Sequence, residues 1–235
     1  MSTLLLRFAA PLQSWGSSSR FNIRMTEREP TKSGVIGMIA GAMGRRRTES
    51  VDDLQNLVFG VRIDQAGKLM YDFHTAKAEG EKNPFISNRY YIMDAVFLVG
   101  LEGNDEILAD IDFAIKNPFF PLYLGRRSCP PTGPVSLGVK QNVKLTDAMR
   151  DLEIAPWQAS EWYMEKQGKK VRLELVVDAD SEAKSAFLKN DLPVSFNQKY
   201  RNYAQRYVVH SIDSIDGVII ENLKSKGTHD PMEVL

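Results

Sequence analysis

Basic residues fall in short clusters along this sequence, and some clusters are interleaved with aromatic rings. Arg20, Arg24, Arg28 and Lys32 recur every fourth residue, a spacing that gives one shared face on either a helix or an extended strand. Arg45, Arg46 and Arg47 are consecutive, and Arg126 and Arg127 follow Gly125. Lys199, Arg201 and Arg206 are mixed with Tyr200, Tyr203 and Tyr207. Single-stranded nucleic acid is held by cations that track its backbone and rings that stack on its bases. A lone cluster is ordinarily a solvated face. Four clusters in a chain whose 30 Lys and Arg are matched by 30 Asp and Glu point to segregated charge. Zero net charge also argues against a free-standing, non-specific binder.

The stretch PTKSGVIGMIAGAMGRRR, residues 30–47, resembles a nucleotide phosphate loop at first reading. A Walker loop needs a glycine, four residues, then Gly-Lys-Ser/Thr. Here Lys32 precedes the glycines and no glycine stands upstream at the required distance, so a nucleoside triphosphatase fails on residue order. A helix start carrying Thr31, Lys32 and Ser33 still offers free N–H groups to an anion such as a nucleic-acid phosphate. A capped helix packed through small residues explains the stretch equally well.

His74, His210 and His229 are the candidates for acid–base chemistry in a metal-independent ribonuclease, with Tyr71 near His74 and Tyr207 near His210. Neither spacing is diagnostic, and a lone histidine on a strand is more often structural. The one cysteine, Cys129, and the scattered histidines form no zinc pattern. No histidine stands beside Cys129 to activate it, and no cofactor set is visible.

These residues need a scaffold. A length of 235 residues suits one large domain or two small ones, and 43% hydrophobic content supports a sizeable core. There is no partner for a disulfide and no apolar run long enough to span a membrane. Residues 1–16 lack a basic start and are interrupted by Arg7, which makes a poor signal peptide. The expectation is a cytoplasmic protein without membrane contact.

Hydrophobic periodicity predicts a strand at 3–9, a polar loop at 13–29 and a helix capped by Thr31 or Ser33 and ended by Gly44. Gly34, Gly37 and Gly41 each weaken that helix by roughly 1 kcal/mol relative to Ala, a cost that signals close backbone approach on one face. A short helix capped by Ser50 follows at 51–57, then a hairpin of 58–64 and 69–75. Residues 76–87 are either a loop or the tip of an extended hairpin. A strand at 89–101, a helix at 105–116 and a short strand within 119–131 complete a βαββαβ order. That is the order of an α+β, ferredoxin-like sheet, shared with the RNA recognition motif, whose sheet opens one face to single-stranded RNA. Beyond it the pattern predicts strands at 134–140, 171–177 and 206–212, a helix at 181–190 and a peripheral tail from 225.

Residues 11–47, PLQSWGSSSRFNIRMTEREPTKSGVIGMIAGAMGRRR, resemble the N-terminal signature of the CasD family of CRISPR-associated proteins. This family belongs to the RAMP (repeat-associated mysterious protein) superfamily and serves the type I-E Cascade surveillance complex. DFHTA at 72–76, NRYYIMDAVFLV at 88–99, YLGRRSCPP at 123–131 and RNYAQRYVVH at 201–210 follow in the expected order. The joint match spans most of the chain.

The resemblance implies a ferredoxin-like, RRM-like RAMP core over residues 1–133, with a protruding β-hairpin thumb at about 75–88, and a smaller β-rich C-terminal part over 134–235. It implies a non-catalytic RNA-binding subunit without cofactors, capping the 5′ handle of crRNA. Its partners would be a Cascade backbone subunit and the large PAM-reading subunit, and through them target DNA. The glycine-rich loop of the superfamily maps onto Gly125, Arg126, Arg127 and Ser128.

In that setting Lys32, Arg45, Arg46, Arg126 and Arg127 would pair with phosphates, which position RNA without reading sequence. Trp15 and either Tyr90 or Tyr91 would stack on bases, at roughly 1–3 kcal/mol per stack. Gln13, Ser14 and Ser128 would bond base edges or 2′-hydroxyls. Arg20, Arg24, Ser33, His74, Arg89, Arg201 and Arg206 complete the expected contact set. Trp15 as a core residue and Arg47 as a solvated one remain open, and Tyr90 and Tyr91 point to opposite strand faces. The rival function is a metal-independent endoribonuclease trimming CRISPR repeat RNA. Some relatives cleave, whereas the type I-E family leaves cleavage to a separate subunit.

Overall fold

The computed structural model describes residues 1–17, 23–77, 79–80, 83–210 and 218–225. The first strand, β1 (Ser2–Ala9), is a nearly continuous apolar run because both of its faces are covered. Leu4, Leu6 and Phe8 face one core and Leu5 faces another. After the short β2 (Leu12–Gln13) and β3 (Ile23–Arg24) come α1 (Lys32–Ala42) and α2 (Asp52–Gln55). The strands β4 (Val58–Gln65), β5 (Lys68–Ala76), β6 (Phe85–Met93) and β7 (Val96–Gly103) follow, then α3 (Asp105–Lys116) and β8 (Ser136–Lys140).

Strands β4-β7-β1-β8 lie side by side in that order and antiparallel, with α1 following β1 and α3 following β7. This is the expected ferredoxin-like core. Its fourth strand differs from expectation: it is Ser136–Lys140, not a segment of 119–131. Pro121, Pro130 and Pro131 deprive that segment of donors, and the Phe119 N–H instead bonds the Ala42 carbonyl, 2.9 Å away.

The chain continues through α4 (Leu145–Arg150), α5 (Glu161–Lys166), β9 (Lys170–Asp178), β10 (Phe187–Ser195), β11 (Asn202–His210) and β12 (Val218–Glu221). β9 pairs with β4, and β11 and β10 extend the sheet beyond it. One sheet therefore runs through residues on both sides of position 133. The helix expected at 181–190 is instead a turn followed by β10, where Phe187 pairs with Val208 and Leu188 with Tyr207. Beyond Ser225 the expected tail, with His229, lies outside the described residues, as do positions 211–212 of the expected third strand.

α1 and α3 cover one face of the sheet. An RRM-like sheet would leave the other face open, but here Leu145, Ala148 and Met149 of α4 cover it. Gly60 and Gly100 make the room: a Cβ on Gly100 would stand 2.3 Å from Leu145 Cδ1. Fully buried Arg62 staples this layer, donating to Asp64 Oδ1 at 2.6 Å and to the carbonyls of Met149 and Ala155. Burial pushes the Asp64 carboxyl up, opposed by Arg62.

The hairpin expected over 58–75 does not form. β4 stays in the main sheet, while β5 leaves it and pairs with β6 from Lys68↔Met93 to Ala76↔Phe85. The thumb is thus a longer hairpin than 75–88, and it anchors a second sheet with β2 and β3. The strand expected at 89–101 is two strands, broken at Asp94 with φ 53°. At the matching crossing Gly67 has no space for a side chain, since a Cβ would lie 2.3 Å from Ile92 Cγ2. Among the described residues no helix is long and apolar enough to cross a membrane.

Candidate nucleic-acid interface

Thr31 caps α1, its side chain accepting from the Gly34 N–H at 3.3 Å. The helix start already holds an anion from within the chain. Asp191 of β10 accepts from the Lys32 N–H at 2.9 Å and takes both Nε and a terminal nitrogen of Arg206, at 2.6 and 2.9 Å. Asp178 of β9 joins Lys32 Nζ, at 3.0 Å, to Arg206. Two buried cations and two carboxylates balance here. Burial lowers the Lys32 pKa even with Asp178 beside it. For Arg206 burial opposes the charge, but the two carboxylates prevail and raise the pKa. Lys32 and Arg206 therefore serve the fold, which corrects their expected role as RNA contacts.

Gln13 and Trp15 need the same correction. Trp15 is 0% exposed and stacks on Phe8 at 5.5 Å. Its indole N–H donates to Gln13 Oε1, and the Gln13 amide donates to the Ala95 carbonyl at 2.8 Å. Both face the core, so neither meets a base.

Above Trp15 the small-residue face of α1 floors a cleft of about 830 Å³. Ser33, Gly34, Gly37, Ala40 and Gly41 lie along the floor. The chain around Phe120–Tyr123, and the β10–β11 connection and the start of β11 with Phe196, Arg201 and Tyr203, supply walls. Arg45, Arg46, Arg47 and Arg127 also line it. A smaller adjoining cleft of about 450 Å³ shares Ser14, Gly125 and Arg201 with the first and adds Arg24 and Arg126. Among the described residues no carboxylate lines either cleft. The charge of a neutral chain is therefore segregated, and a concave surface lined by one sign concentrates counter-ions.

Several arginines are held in place. Arg45 binds both oxygens of Asp53, at 2.6 and 2.5 Å, and the Ser50 carbonyl. That hydrogen bond raises the Arg45 pKa and lowers that of Asp53. Gly125, at φ +86°, lies so close to the Ser14 carbonyl oxygen that a Cβ would stand 1.6 Å from it. This contact docks the glycine-basic loop on the N-terminal segment. Arg126 lies 4.6 Å over the buried Tyr91 ring and donates to the Arg24 carbonyl at 2.9 Å. Its other terminal nitrogen is buried without a partner. Arg46, Arg127 and Arg201 are exposed. Ser128 is exposed in the same loop without lining a cleft, and burial pushes the neighbouring Cys129 thiol up, away from nucleophilic use.

His74, Arg89 and Tyr90 stand on the thumb, away from the cleft lining. Tyr90 is half-buried beside Tyr71, and its carbonyl accepts from Ser14 Oγ at 3.1 Å, linking thumb to cleft. Tyr91 turns inward, as strand alternation requires. Arg89 keeps a buried Nε without a partner. Arg20 lies outside the described residues. His74, 3.2 Å from Asp72, and His210, 3.7 Å from Glu174, belong to different sheets, and neither lines a cleft. Among the described residues no group of three His, Cys, Asp or Glu could hold a metal. Sequence reasoning did not single out Phe120, Tyr123 or Phe196. Tyr203 carried a signal, its alternation with basic residues.

A profile of the family described as CRISPR-associated protein (Cas_Cas5) matches residues 3–209. The chain belongs to the CRISPR-associated Cas5 family. Every lining residue of both clefts in this Cas5 chain falls within the matched span. The chain is similar to the CRISPR system Cascade subunit CasD of Escherichia coli (strain K12), 33% identical across 60% of this chain and 72% of that protein. It superposes on a chain of a "CRISPR RNA-guided surveillance complex" with a TM-score of 0.74 and 29% identity, covering 99% of this chain and 96% of the other. A second solved structure, "Crystal structure of Cas protein", gives a TM-score of 0.63 and 34% identity, covering 97% and 100%. The Cas5 membership agrees with the CasD-type resemblance of the sequence and with the ferredoxin-like core.

Proposed function

We propose that this Cas5-family chain is a non-catalytic RNA-binding subunit of a Cascade-type surveillance complex, holding the repeat-derived 5′ handle of crRNA along its arginine-lined cleft. The observation that carries this reading is the gathering of Arg24, Arg45, Arg46, Arg47, Arg126, Arg127 and Arg201 on a continuous concave surface that, among the described residues, carries no carboxylate. A folded strand of RNA needs cations that track phosphates and rings for bases, and the cleft offers both. The thumb rises beside it, tied through Ser14, where it can bend or brace the strand. The backbone subunit and the large PAM-reading subunit are the proposed neighbours, in line with the complexes in which the relatives occur.

Arg127→Ala with Arg201→Ala tests this reading, because both side chains are exposed and neither is needed by the fold. The variant should bind handle-bearing RNA more weakly. The log–log salt slope should flatten by about 0.7 for each phosphate that is no longer neutralised. An unchanged slope, or equal binding of RNA lacking the handle, would overturn the proposal.

A further inference from the structure

We propose that the α1 floor of the cleft is a slot for a nucleobase, so that RNA lies with a base turned in against the helix and its phosphates out on the arginines. This rests on the RNA-binding reading above and adds an orientation to it. Gly34 has a reason internal to the fold, since a Cβ there would press into Trp15 at 2.9 Å, whereas one on Gly37 would make only ordinary contact with Phe196 at 3.4 Å. Gly41 has none. It lies within the helix, and a Cβ there would meet nothing within 4 Å. A helix favours Ala over Gly, so the missing side chain benefits only what enters the cleft.

Ser33 lies two helical turns earlier on the same face. It is 7% exposed and lines the cleft. A hydroxyl can both donate to and accept from a group that enters the cleft. The Asp191 carboxylate already occupies the start of the helix, which disfavours a second anion beside Ser33. The slot thus combines a flat backbone floor, the rings of Phe120 and Tyr203 among its walls and the Ser33 hydroxyl. A base stacked or laid flat fits that chemistry, and Ser33 can bond either its edge or the adjoining ribose 2′-hydroxyl.

The test uses the full chain and handle-bearing single-stranded RNA, intact or abasic at single handle positions. Gly41→Leu fills the slot without touching an arginine, and Gly41→Ala is the milder variant should leucine disturb folding. Intact RNA should bind Gly41→Leu roughly 5- to 150-fold more weakly, which is the worth of about one stacked base. RNA abasic at the slot position should bind parent and variant alike, with the salt slope unchanged. Ser33→Ala should weaken intact RNA; if the weakening vanishes with a 2′-deoxy nucleotide in the slot the bond is to ribose, and if it persists the bond is to the base. Equal weakening of intact and abasic RNA, or a silent Gly41→Leu, would overturn the slot while leaving RNA binding intact. Failure of the parent to bind RNA at all would overturn the underlying reading instead.

Discussion

Trp15 and Gln13 carry recognition chemistry in their side chains and turn it inward. Trp15→Ala should therefore cost about 3–5 kcal/mol of stability without RNA present, measured by urea unfolding, as removal of a fully buried indole does. A variant as stable as the parent would return Trp15 to the surface. The Arg45–Asp53 pair predicts a pH effect. The Arg45 hydrogen bond holds the Asp53 pKa below the ordinary carboxylate value of 3.8, so the folded value lies under the unfolded one. The pair's contribution is complete at neutral pH and is lost as pH falls through that lowered value. It is below about 1 kcal/mol, since the pair is partly exposed. Asp53→Asn should be slightly less stable than the parent at pH 7, and the gap should close in acid; a gap that persists would remove the pair's role. At this scale the sequence is partly legible. Arg24, Arg45, Arg46, Arg126, Arg127 and Arg201 all line a cleft, as their clustering suggests. Lys32 and Arg206 escape such a reading because Lys32 meets Asp191 and Asp178 across 159 and 146 residues of sequence, and no local pattern reports such a pairing.

α1 is the most legible element. Its Thr31 cap, its apolar side and its end before Gly44 all follow from local rules. What the helix docks against does not. The Asp191 and Asp178 carboxylates fasten it to β10 and β9, near the β10–β11 connection and the start of β11, which supply the Phe196, Arg201 and Tyr203 wall. Removing one partner leaves a charge buried and uncompensated. Asp191→Ala should thus destabilise by about 3–5 kcal/mol in chemical denaturation. Replacing Asp191 and Arg206 together by apolar residues of similar size should recover much of that stability, and no recovery would argue against a charge-compensation role. β5 and β10 are the least legible elements. Period-two alternation reports a strand but not its neighbour, so the residues of β5 do not reveal that it pairs with β6 alone, and the start of β10 carries a helix-like pattern.

Across the whole molecule, the βαββαβ order foresees the topology of the four-stranded core but not its fourth strand, which is Ser136–Lys140 rather than a segment of 119–131. The extension of the sheet through β9, β11 and β10, and the covering of its second face by α4, depend on Gly60 and Gly100 accepting Leu145 and Met149, and on Arg62 reaching distant carbonyls. Those long-range fits have no periodic signature. The two crossings at Gly67 and Asp94 set the thumb apart: beyond them β5 pairs with β6, β6 pairs also with β2 and β3, and among the described residues neither pairs with the main sheet. Reach is consequently an independent dimension of this architecture. One residue pair added beyond Ala76↔Phe85 advances the tip by roughly 3.4 Å, and a second pair restores which side chains face which way. Such a protein can be refitted to neighbours of different spacing by counting residues, with its interior left unedited.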